Sequence, residues 1–377
     1  MSQQLLLIGG GQTHLGVLDA FARAPLRGAE VTLVSRFDNS IYSGMLPGWI
    51  AGHYQLEECA IPLPAVAERA GAEFFRDRVI AIDLVERVAY TQAGAPLPFD
   101  IVSIDTGSEI DPDAIRGVGQ YALGIRPIEK FVEIWQRHMT RISGALEPGT
   151  VTVVGGGAAG VEIALAIGHY AAKSSLRLNV QLITGRPGLL PALPASMRKR
   201  AARLLPTVGV RTIEDEVTSV GPDFVQLARA GDLRSDVTIA AIGASAASWP
   251  RDCGLKCDER GFIAVNSHLQ SRSHPFVFAA GDCASMVNHP RPKSGVYAVR
   301  AAAPLATNLR RALAGKSLRR HVPPLTALYL LSVGAKNAIG TWGPFSFEGE
   351  RVWRWKDRID RQFIARYNPD LPKVRTT

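Results

Sequence analysis

The chain has 377 residues, of which 46% are hydrophobic and 20% are charged. This length exceeds one ordinary domain and suffices for two or three, and the composition is that of a globular protein rather than a disordered one. The net charge of +9 favours anionic partners such as phosphorylated cofactors or an acidic membrane surface. No aromatic–basic repeat or zinc-type spacing accompanies this charge, so nucleic acid is not expected as a partner.

The sequence predicts neither a membrane span nor a signal peptide. The most apolar late segment, residues 325–333, is far shorter than the roughly 20 residues that a spanning helix needs. The first strand begins without a basic leader or a cleavage site. The four cysteines stand at irregular positions that do not suggest a disulfide framework, and a reducing cytoplasm fits them. We therefore expect a cytoplasmic protein without a metal site.

A glycine-rich turn follows the first apolar strand and opens a helix, in the order of a βαβ unit with parallel strands. A dinucleotide pyrophosphate needs close backbone approach and free amide groups at a helix N-terminus, and a side chain at the turn blocks that approach. Gly9 and Gly11 therefore predict a dinucleotide site. His14 stands at the third glycine position, where we expect it to hold helix and strand slightly further apart.

The second strand of this unit ends without the carboxylate that commonly accepts from the adenosine ribose. Ser35 and Arg36 stand there instead. Ser35 can hydrogen bond a ribose hydroxyl, although more weakly than a carboxylate, and Asp38 is an alternative partner. Arg36 either stacks on adenine or is a solvated edge residue.

The second βαβ unit carries the complete G-x-G-x-x-G pattern, in Gly155, Gly157 and Gly160, with Glu162 in the first helical turns. Its second strand ends at Arg186, again without an acid. Because an acid repels a ribose 2′-phosphate and an arginine attracts it, Arg186 favours NADPH over NADH, unless its side chain only faces water.

The remaining predicted elements follow in chain order. Between the two units we expect an irregular segment at 40–54, a helix near 64–70, an antiparallel meander over 79–90, a strand over 101–105 ending at Thr106 and Gly107, and a helix over 128–142. After the second unit we expect short strands around 210–213, 217–220 and 224–227, a strand over 237–242 ending at Gly243, a strand over 276–280 and a helix over 294–313.

The two halves follow one plan used twice, and the second is inserted in the first because Gly281 and Asp282 complete the first nucleotide site. The predicted fold class is α/β, with two Rossmann-like dinucleotide-binding domains, each with a small antiparallel meander, and a C-terminal tail. The expected boundaries are 1–112 and 249–322 for the first domain, 113–248 for the second and 323–377 for the tail. Two dinucleotide sites in one chain are suited to passing hydride between nicotinamide and flavin.

Several stretches resemble the FAD/NAD(P) pyridine nucleotide–disulfide oxidoreductase superfamily, and within it the branch of type II NADH:quinone oxidoreductases. They are Thr106-Gly107 and residues 151–162 (VTVVGGGAAGVE), 241–245 (AIGAS) and 277–282 (VFAAGD). Four more resemble the flavoprotein found fused to selenophosphate synthetase in some organisms. They are residues 42–48 (YSGMLPG), 51–54 (AGHY), 292–296 (PKSGV) and 353–360 (WRWKDRID).

The resemblance implies an FAD enzyme that takes hydride from NAD(P)H and passes electrons to an acceptor, most plausibly a quinone. Asp282 would hydrogen bond the ribityl chain, and the amides at the helix N-terminus over 294–296 would stabilise negative charge on reduced flavin. The cofactor-binding residues expected in all are Gly9, Gly11, Ser35, Arg36, Thr106, Gly107, Gly155, Gly157, Gly160, Arg186, Gly243, Gly281, Asp282, Ser294, Gly295 and Val296.

Three residues are expected nearest the chemistry. Pro47 would lie beside the isoalloxazine, and Glu162 would help to place the nicotinamide. Type II enzymes carry glutamines near the quinone in the helix that follows the flavin aspartate, and the matching stretch here, 295–300 (GVYAVR), has none. Tyr297, in this stretch, either stacks on a quinone or on the flavin, or packs in the core.

Two other functions stay open. A flavoenzyme that handles sulfur or selenium species would act through a thiol such as Cys59. Cys253 and Cys257 are four residues apart, a spacing that fits neither a thioredoxin-type pair nor a zinc site. The third function is a flavin-bound partner or sensor protein without turnover.

The tail ends in a predicted basic amphipathic helix. Its apolar face would carry Val352, Trp355, Ile359 and Phe363, opposite Arg354, Arg358 and Arg361. Such a helix docks on its own domain or on a second subunit of a homodimer, or it lies in a membrane interface. The last alternative implies a peripheral protein on the inner face of the membrane.

Overall fold

Two parallel sheets of five strands each form the centre of the fold. The computed structural model describes residues 2–368 except residues 146, 175, 187 and 344. The first part of the chain contains β1 (Gln3–Ile8), α1 (Gln12–Arg23), β2 (Ala29–Ser35), β3 (Asn39–Ile41), α2 (Leu46–Ile50), β4 (Ala60–Pro62), α3 (Leu63–Arg69), β5 (Glu73–Arg76), β6 (Val79–Asp83), β7 (Val88–Thr91), β8 (Pro96–Pro98) and β9 (Ile101–Ile104).

The middle of the chain contains α4 (Val118–Tyr121), β10 (Ala122–Gly124), α5 (Ile128–Ser143), β11 (Gly149–Val154), α6 (Ala158–Ser174), β12 (Leu178–Thr184), α7 (Ala195–Leu204), β13 (Val210–Glu214), β14 (Val217–Val220), β15 (Phe224–Leu227), β16 (Gly231–Arg234) and β17 (Val237–Ala240). The last part contains α8 (Trp249–Asp252), β18 (Ile263–Val265), β19 (Val277–Ala279), β20 (Ala284–Met286), α9 (Gly295–Leu313), β21 (Leu328–Ser332), β22 (Ala338–Trp342), β23 (Phe345–Gly349) and α10 (Glu350–Tyr367).

The first sheet has the strand order β19-β9-β1-β2-β5, and the second has the order β10-β17-β11-β12-β13. Every pairing in both sheets is parallel. Strand β19 joins the first sheet only after the second is complete. Two meanders, β6-β7-β8 and β14-β15-β16, accompany the sheets. The predicted α/β class with two Rossmann-like units and their meanders is therefore confirmed.

The central strands are buried because helices cover one face of each sheet and an antiparallel meander packs on the other, β6-β7-β8 on the first sheet and β14-β15-β16 on the second. All six residues of β11 are buried, and so are the last four of β1. Helices α1 and α9 pack closely beside the first sheet, at Gly16. A Cβ atom on this glycine would lie 2.5 Å from the Cβ of Ala302, so only a glycine permits this approach.

The segment predicted as irregular, 40–54, contains part of β3 and the short helix α2. Pro47 stands in the first turn of α2, where its fixed φ angle and missing N–H favour helix initiation. The prediction missed this helix because five residues are too few to show a helical repeat.

The tail forms the antiparallel sheet β21-β22-β23, against which α10 packs. The predicted apolar face of α10 is correct at Val352 and Phe363, which pack against the core, but wrong at Trp355 and Ile359, which are 42% and 38% exposed. The buried face instead includes Lys356, Asp357 and Asp360. Charged side chains are tolerated there because residues 44–58 of the first part of the chain supply their hydrogen-bond partners.

Among the helices that the structure describes, none is both long and apolar enough to cross a membrane.

Candidate functional site

A cleft opens at the carboxyl ends of the first sheet's strands, where ligands bind in folds of this class. Its volume is about 1310 Å³, including the space at its open mouth. It is lined by the glycine turn (Gly9, Gly10, Gly11), the end of β2 (Ser35, Arg36), the residues after β9 (Asp105, Thr106, Gly107), and Asp282 and Gly295. The structure thus brings most of the residues predicted around the first glycine turn into one cavity.

Asp105 organises the first glycine turn from beneath. Its Oδ2 accepts hydrogen bonds from the backbone N–H groups of Thr13 at 2.8 Å and His14 at 3.0 Å. A Cβ on Gly11 would lie 2.4 Å from this carboxylate. Glycine is therefore required at position 11 by an internal acid as well as by any ligand. Burial raises the pKa of Asp105 to about 7. The sequence signal that we missed is an acid directly after an apolar strand.

His14 is a core residue that ties the turn to the sheet. Its Nδ1 lies 2.7 Å from the carbonyl oxygen of Gly9, and its Nε2 lies 2.8 Å from Oγ of Ser103. The ring is fully buried, which lowers the pKa of His14 to about 4, so it is neutral. The imidazole thus lies at the position where other such units carry a glycine that permits close packing of helix and strand.

The end of the cleft formed by β2 and β5 has an acid that the sequence analysis did not select. Asp38 is engaged with Arg76 at 2.9 Å and does not line the cleft, so it is not the alternative ribose partner. Asp77, directly after β5, does line it. Ser35 is buried, and its hydroxyl accepts the N–H of Phe37 at 3.3 Å. Arg36 borders the cleft and is partly buried, so it is not simply a solvated edge residue.

Asp282 faces a basic partner across the cleft. Its Oδ2 lies 3.2 Å from Nη1 of Arg126, which comes from the segment before α5. Arg126 also donates to Oγ of Ser108. Nothing in the sequence pattern singled out this arginine, since only the tertiary structure brings the two segments together. A phosphate-bearing ligand would meet both charges.

The other end of the cleft combines α9 and the segment before α2. Gly295 begins α9, and a Cβ there would lie 2.6 Å from Oε1 of Gln12. That oxygen is buried without a hydrogen-bond partner among the described residues, while the Nε2 donates to Ser43 at 3.1 Å. An unpartnered acceptor in a cavity suits a ligand with N–H groups, such as a flavin. Pro47 itself is buried.

Ser294 is the N-cap residue of α9, and Val296 is half-buried in its first turn. Tyr297 is also half-buried, and its hydroxyl interacts with that of Tyr329 on β21. Burial, and then this interaction, raise the pKa of Tyr329. Tyr297 therefore lies where α9 meets the tail, and its full burial in the core is not observed.

The second glycine turn, after β11, shows three distinct steric roles. Gly155 has φ +124°, and a Cβ there would lie 2.3 Å from the carbonyl oxygen of Ala241. A Cβ on Gly160 would lie 2.0 Å from the carbonyl oxygen of Gly155, so this glycine permits close packing of helix and strand. Gly157 has no such neighbour within 4 Å. Its open side is the one that a dinucleotide can approach.

Glu162 contacts the tail. Its Oε1 accepts the backbone N–H of Ser332 at 2.8 Å, and desolvation raises its pKa to about 7, while the charge of Lys356 opposes that rise. Two other predicted cofactor residues, Arg186 and Gly243, border the second sheet. The side chain of Arg186 is exposed, and Gly243 has φ +112° with open space beside it.

The cysteines are free thiols, and Cys59 and Cys283 are buried. Burial raises the pKa of Cys59 and of Cys283 to about 12, which suppresses the reactive thiolate. Cys253 accepts the N–H of Ile82, and Cys257 donates to Leu255. Within the described part of the chain, no group of three or more acidic, histidine or cysteine side chains is arranged to hold a metal ion.

Comparisons with known proteins agree with this geometry. The family model for pyridine nucleotide-disulphide oxidoreductases matches residues 3–302. Ferroptosis suppressor protein 1 of Xenopus tropicalis is 31% identical over 283 residues, which make up 71% of this chain and 71% of that protein. Demethylphylloquinone reductase NdbB of Synechocystis is 24% identical over 293 residues, 74% of this chain and 71% of that protein.

The fold also matches a solved structure, the sulfide:quinone oxidoreductase of the hyperthermophilic bacterium Aquifex aeolicus. The TM-score is 0.79 at 18% sequence identity, with 99% of this chain and 93% of that chain covered. At this identity the likeness concerns the fold alone.

Proposed function

Because this chain belongs to the pyridine nucleotide-disulphide oxidoreductase family, we propose that it is an FAD enzyme that takes hydride from NAD(P)H and passes the electrons to a quinone. The observation that carries the proposal is the pair of glycine turns, each at the carboxyl end of a central strand in its own parallel sheet. A relative that reduces demethylphylloquinone, by its name, supports the quinone.

FAD suits the cleft of the first sheet, and its isoalloxazine would supply the hydride acceptor. Gly9 and Gly11 permit approach of its pyrophosphate, and Arg126 and the N-terminus of α1 offer positive charge to it. Asp282 would accept hydrogen bonds from its hydroxyl groups. Gln12 offers an unpartnered acceptor at the other end of the cleft.

NAD(P)H suits the turn after β11, where Gly157 leaves the approach open. Hydride transfer between two held rings needs positioning rather than a general base. Glu162 would help to position the nicotinamide from α6. Its carboxylate is in turn oriented by Ser332 of the tail.

For the acceptor, we favour the junction between α9 and the tail. Tyr297 and Tyr329 meet there through their hydroxyl groups, and Gly295 at the start of the same helix lines the flavin cleft. Aromatic faces and phenolic hydroxyls can stack on a quinone and donate to its carbonyl oxygens.

The purified protein tests this proposal. It should carry about one FAD per chain, bleach on anaerobic mixing with NADH or NADPH, and regain its colour with a soluble quinone but not with polysulfide. Protein that neither holds nor takes up FAD would refute the flavin assignment. Bleaching without reoxidation by any quinone would refute the acceptor.

The tail carries an exposed aromatic patch, defined by Trp342, Phe345 and Trp355, and the exposed Ile359 lies one helical turn from Trp355 on α10. Trp342 pairs with Phe345 across the hairpin, and they are 63% and 74% exposed. Phe347 lies on the same strand face as Phe345 and contacts Trp355 at 6.0 Å between ring centroids. The exposed arginines of α10 beside this patch are Arg351, Arg354 and Arg358.

We propose that the aromatic patch rests in the interface of an anionic membrane, the location of a lipid-soluble quinone. Aromatic side chains favour the headgroup region, and arginines add attraction to anionic lipid. A homodimer through the same patch is the alternative, and a mass of two chains in dilute solution would support it.

We also propose the domain boundaries 1–112, 113–248, 249–322 and 323–377. A second proposal is the finer resemblance to the flavoprotein fused to selenophosphate synthetase. This resemblance rests on the four sequence stretches quoted for it, of which three contact one another. Lys356 in residues 353–360 donates to Gly44 in residues 42–48, and Asp357 accepts from Tyr54 in residues 51–54.

A further inference from the structure

A carboxylate stands just beyond the end of β12, contributed by a neighbouring strand. Strands β12 and β13 are parallel neighbours, and their last residues, Thr184 and Glu214, pair with each other. The segments that follow the two strands therefore begin side by side at the carboxyl ends of the sheet. Oε1 of Glu216 accepts the backbone N–H of Arg186 at 2.8 Å. A Cβ on Gly185 would lie 2.7 Å from Oε2 of Glu216. The acid that the sequence lacks at the end of β12 is therefore supplied from two residues beyond β13.

The segment that carries Glu216 is held in place by its neighbour, Asp215. The buried Asp215 carboxylate accepts the backbone N–H groups of Glu216 at 2.8 Å, Arg229 at 3.1 Å and Ala230 at 3.0 Å. Asp215 also pairs with the Arg229 side chain at 3.3 Å. This bonding fixes the backbone from which Glu216 projects.

The second glycine turn also lies at the carboxyl ends of these strands, since it follows β11. The backbone N–H of Leu190 donates to the carbonyl oxygen of Gly156 at 2.7 Å. A Cβ on Gly156 would lie 2.5 Å from the carbonyl oxygen of Gly188, so the two loops are in close contact. Thr184, the last residue of β12, has a buried Oγ1 without a partner among the described residues. A dinucleotide on the glycine turn would extend its adenosine towards these groups.

We propose that Glu216 selects NADH over NADPH by accepting hydrogen bonds from the adenosine ribose hydroxyls and repelling a 2′-phosphate. The inference rests on the proposed function, whose nicotinamide site it specifies. The rule for such folds places the ribose acid at the end of the second strand of the unit. Here the third strand supplies it, which explains its absence from the motif.

Arg186 carries the opposite charge, and the sequence alone favoured NADPH because of it. The side chains of Arg186 and Glu216 are both exposed, but the Arg186 guanidinium must lose rotamer freedom to meet a phosphate. The Glu216 carboxylate is already oriented by the Arg186 backbone N–H. We therefore expect the carboxylate to outweigh the guanidinium.

The test compares Glu216→Gln with wild type in the FAD-loaded full chain. Glutamine keeps the acceptor for the Arg186 N–H and removes only the charge. For wild type, kcat/KM for flavin reduction should be about tenfold higher with NADH than with NADPH. Repulsion between the Glu216 carboxylate and a 2′-phosphate at one subsite weakens binding by roughly that factor. Glu216→Gln should abolish most of this preference, chiefly by lowering the KM for NADPH.

The matched control is Glu147→Gln, which removes the same charge from an exposed residue before β11, at the opposite edge of the sheet. It should leave the preference unchanged. Arg186→Gln should raise the KM for NADPH, because it removes the only charge of this pair that attracts a 2′-phosphate.

Binding is measured separately, by calorimetry with ADP-ribose and 2′-phospho-ADP-ribose. Wild type should prefer the ligand without the phosphate, and Glu216→Gln should reduce that preference about tenfold. A preference of wild type for the phosphorylated ligand, or a ratio that Glu216→Gln leaves within twofold, overturns the inference. If neither dinucleotide reduces the flavin, the proposed function fails, and the two ADP-ribose ligands still decide the role of Glu216.

Discussion

Nζ of Lys356, on the tail helix α10, donates a hydrogen bond to the carbonyl oxygen of Gly44 at 2.5 Å. The same ammonium bonds Oδ2 of Asp360 at 2.6 Å, and both side chains are more than nine-tenths buried. Gly44 follows Ser43, which lines the cleft at the first glycine turn. The tail thus holds the segment that begins α2 through a buried charge pair.

Lys356→Met should lower the free energy of unfolding by about 3–5 kcal/mol, because it leaves the Asp360 carboxylate buried without its cation. We also expect faster loss of FAD, since the segment at Gly44 loses its contact. Urea unfolding and flavin release measure the two effects. Lys199→Met, at an exposed lysine of α7, is the control and should change neither. Equal behaviour of the two variants would contradict the structural role of Lys356.

Asp105→Asn should change how stability depends on pH in the flavin-free protein. Burial raises the pKa of Asp105 from 3.8 to about 7, so the folded state binds a proton that the unfolded state has lost. Stability from this group is therefore present below pH 4 and is lost as pH rises towards 7 and above. The loss is roughly 4 kcal/mol at 1.36 kcal/mol per unit of pKa shift.

Asparagine retains an acceptor for the N–H groups of Thr13 and His14 but does not ionise. Asp105→Asn should therefore gain stability relative to wild type as pH rises from about 4 to about 7, as followed by urea midpoints. A constant difference between the two proteins over that range would show that Asp105 does not titrate there.

Gly157→Ala and Gly160→Ala should have opposite consequences. The first adds a methyl group where no atom lies within 4 Å, so the fold and the FAD content should persist. The KM for NADH should nevertheless rise at least about tenfold, because the methyl group stands where the pyrophosphate approaches. The second adds one 2.0 Å from the carbonyl oxygen of Gly155, so we expect a large loss of stability. Stopped-flow kinetics and thermal melts distinguish the pair.

Cys59→Ala should leave quinone reduction within twofold of wild type. The Cys59 thiol is fully buried, with its pKa raised to about 12, so it is neither accessible nor ionised near neutral pH. Steady-state turnover with NADH and a quinone measures this. Abolished turnover in a variant that still binds FAD would revive the thiol-based mechanism.

The aromatic patch predicts membrane binding by the tail. Trp342→Ser with Phe345→Ser should reduce cosedimentation with vesicles of phosphatidylglycerol at least fivefold, because two exposed aromatic side chains are lost from the contact. Val322→Ser with Leu325→Ser removes residues that are 61% and 85% exposed outside the patch, and it should leave binding unchanged. Equal binding by both double variants would argue against the patch as the contact.

The sequence by itself determined the two βαβ units and their glycine turns, because strand hydrophobicity, helix periodicity and the steric demand at Gly155 and Gly160 are local properties. It could not reveal Asp105 beneath Gly11, Arg126 across from Asp282, or Glu216 beside Arg186. Each of these pairs joins segments that are distant along the chain or lie on different strands, and only the order of strands in the sheets brings them together. The buried face of α10 was misread for the same reason, since Lys356 and Asp357 can be buried only where Gly44 and Tyr54 supply their hydrogen bonds.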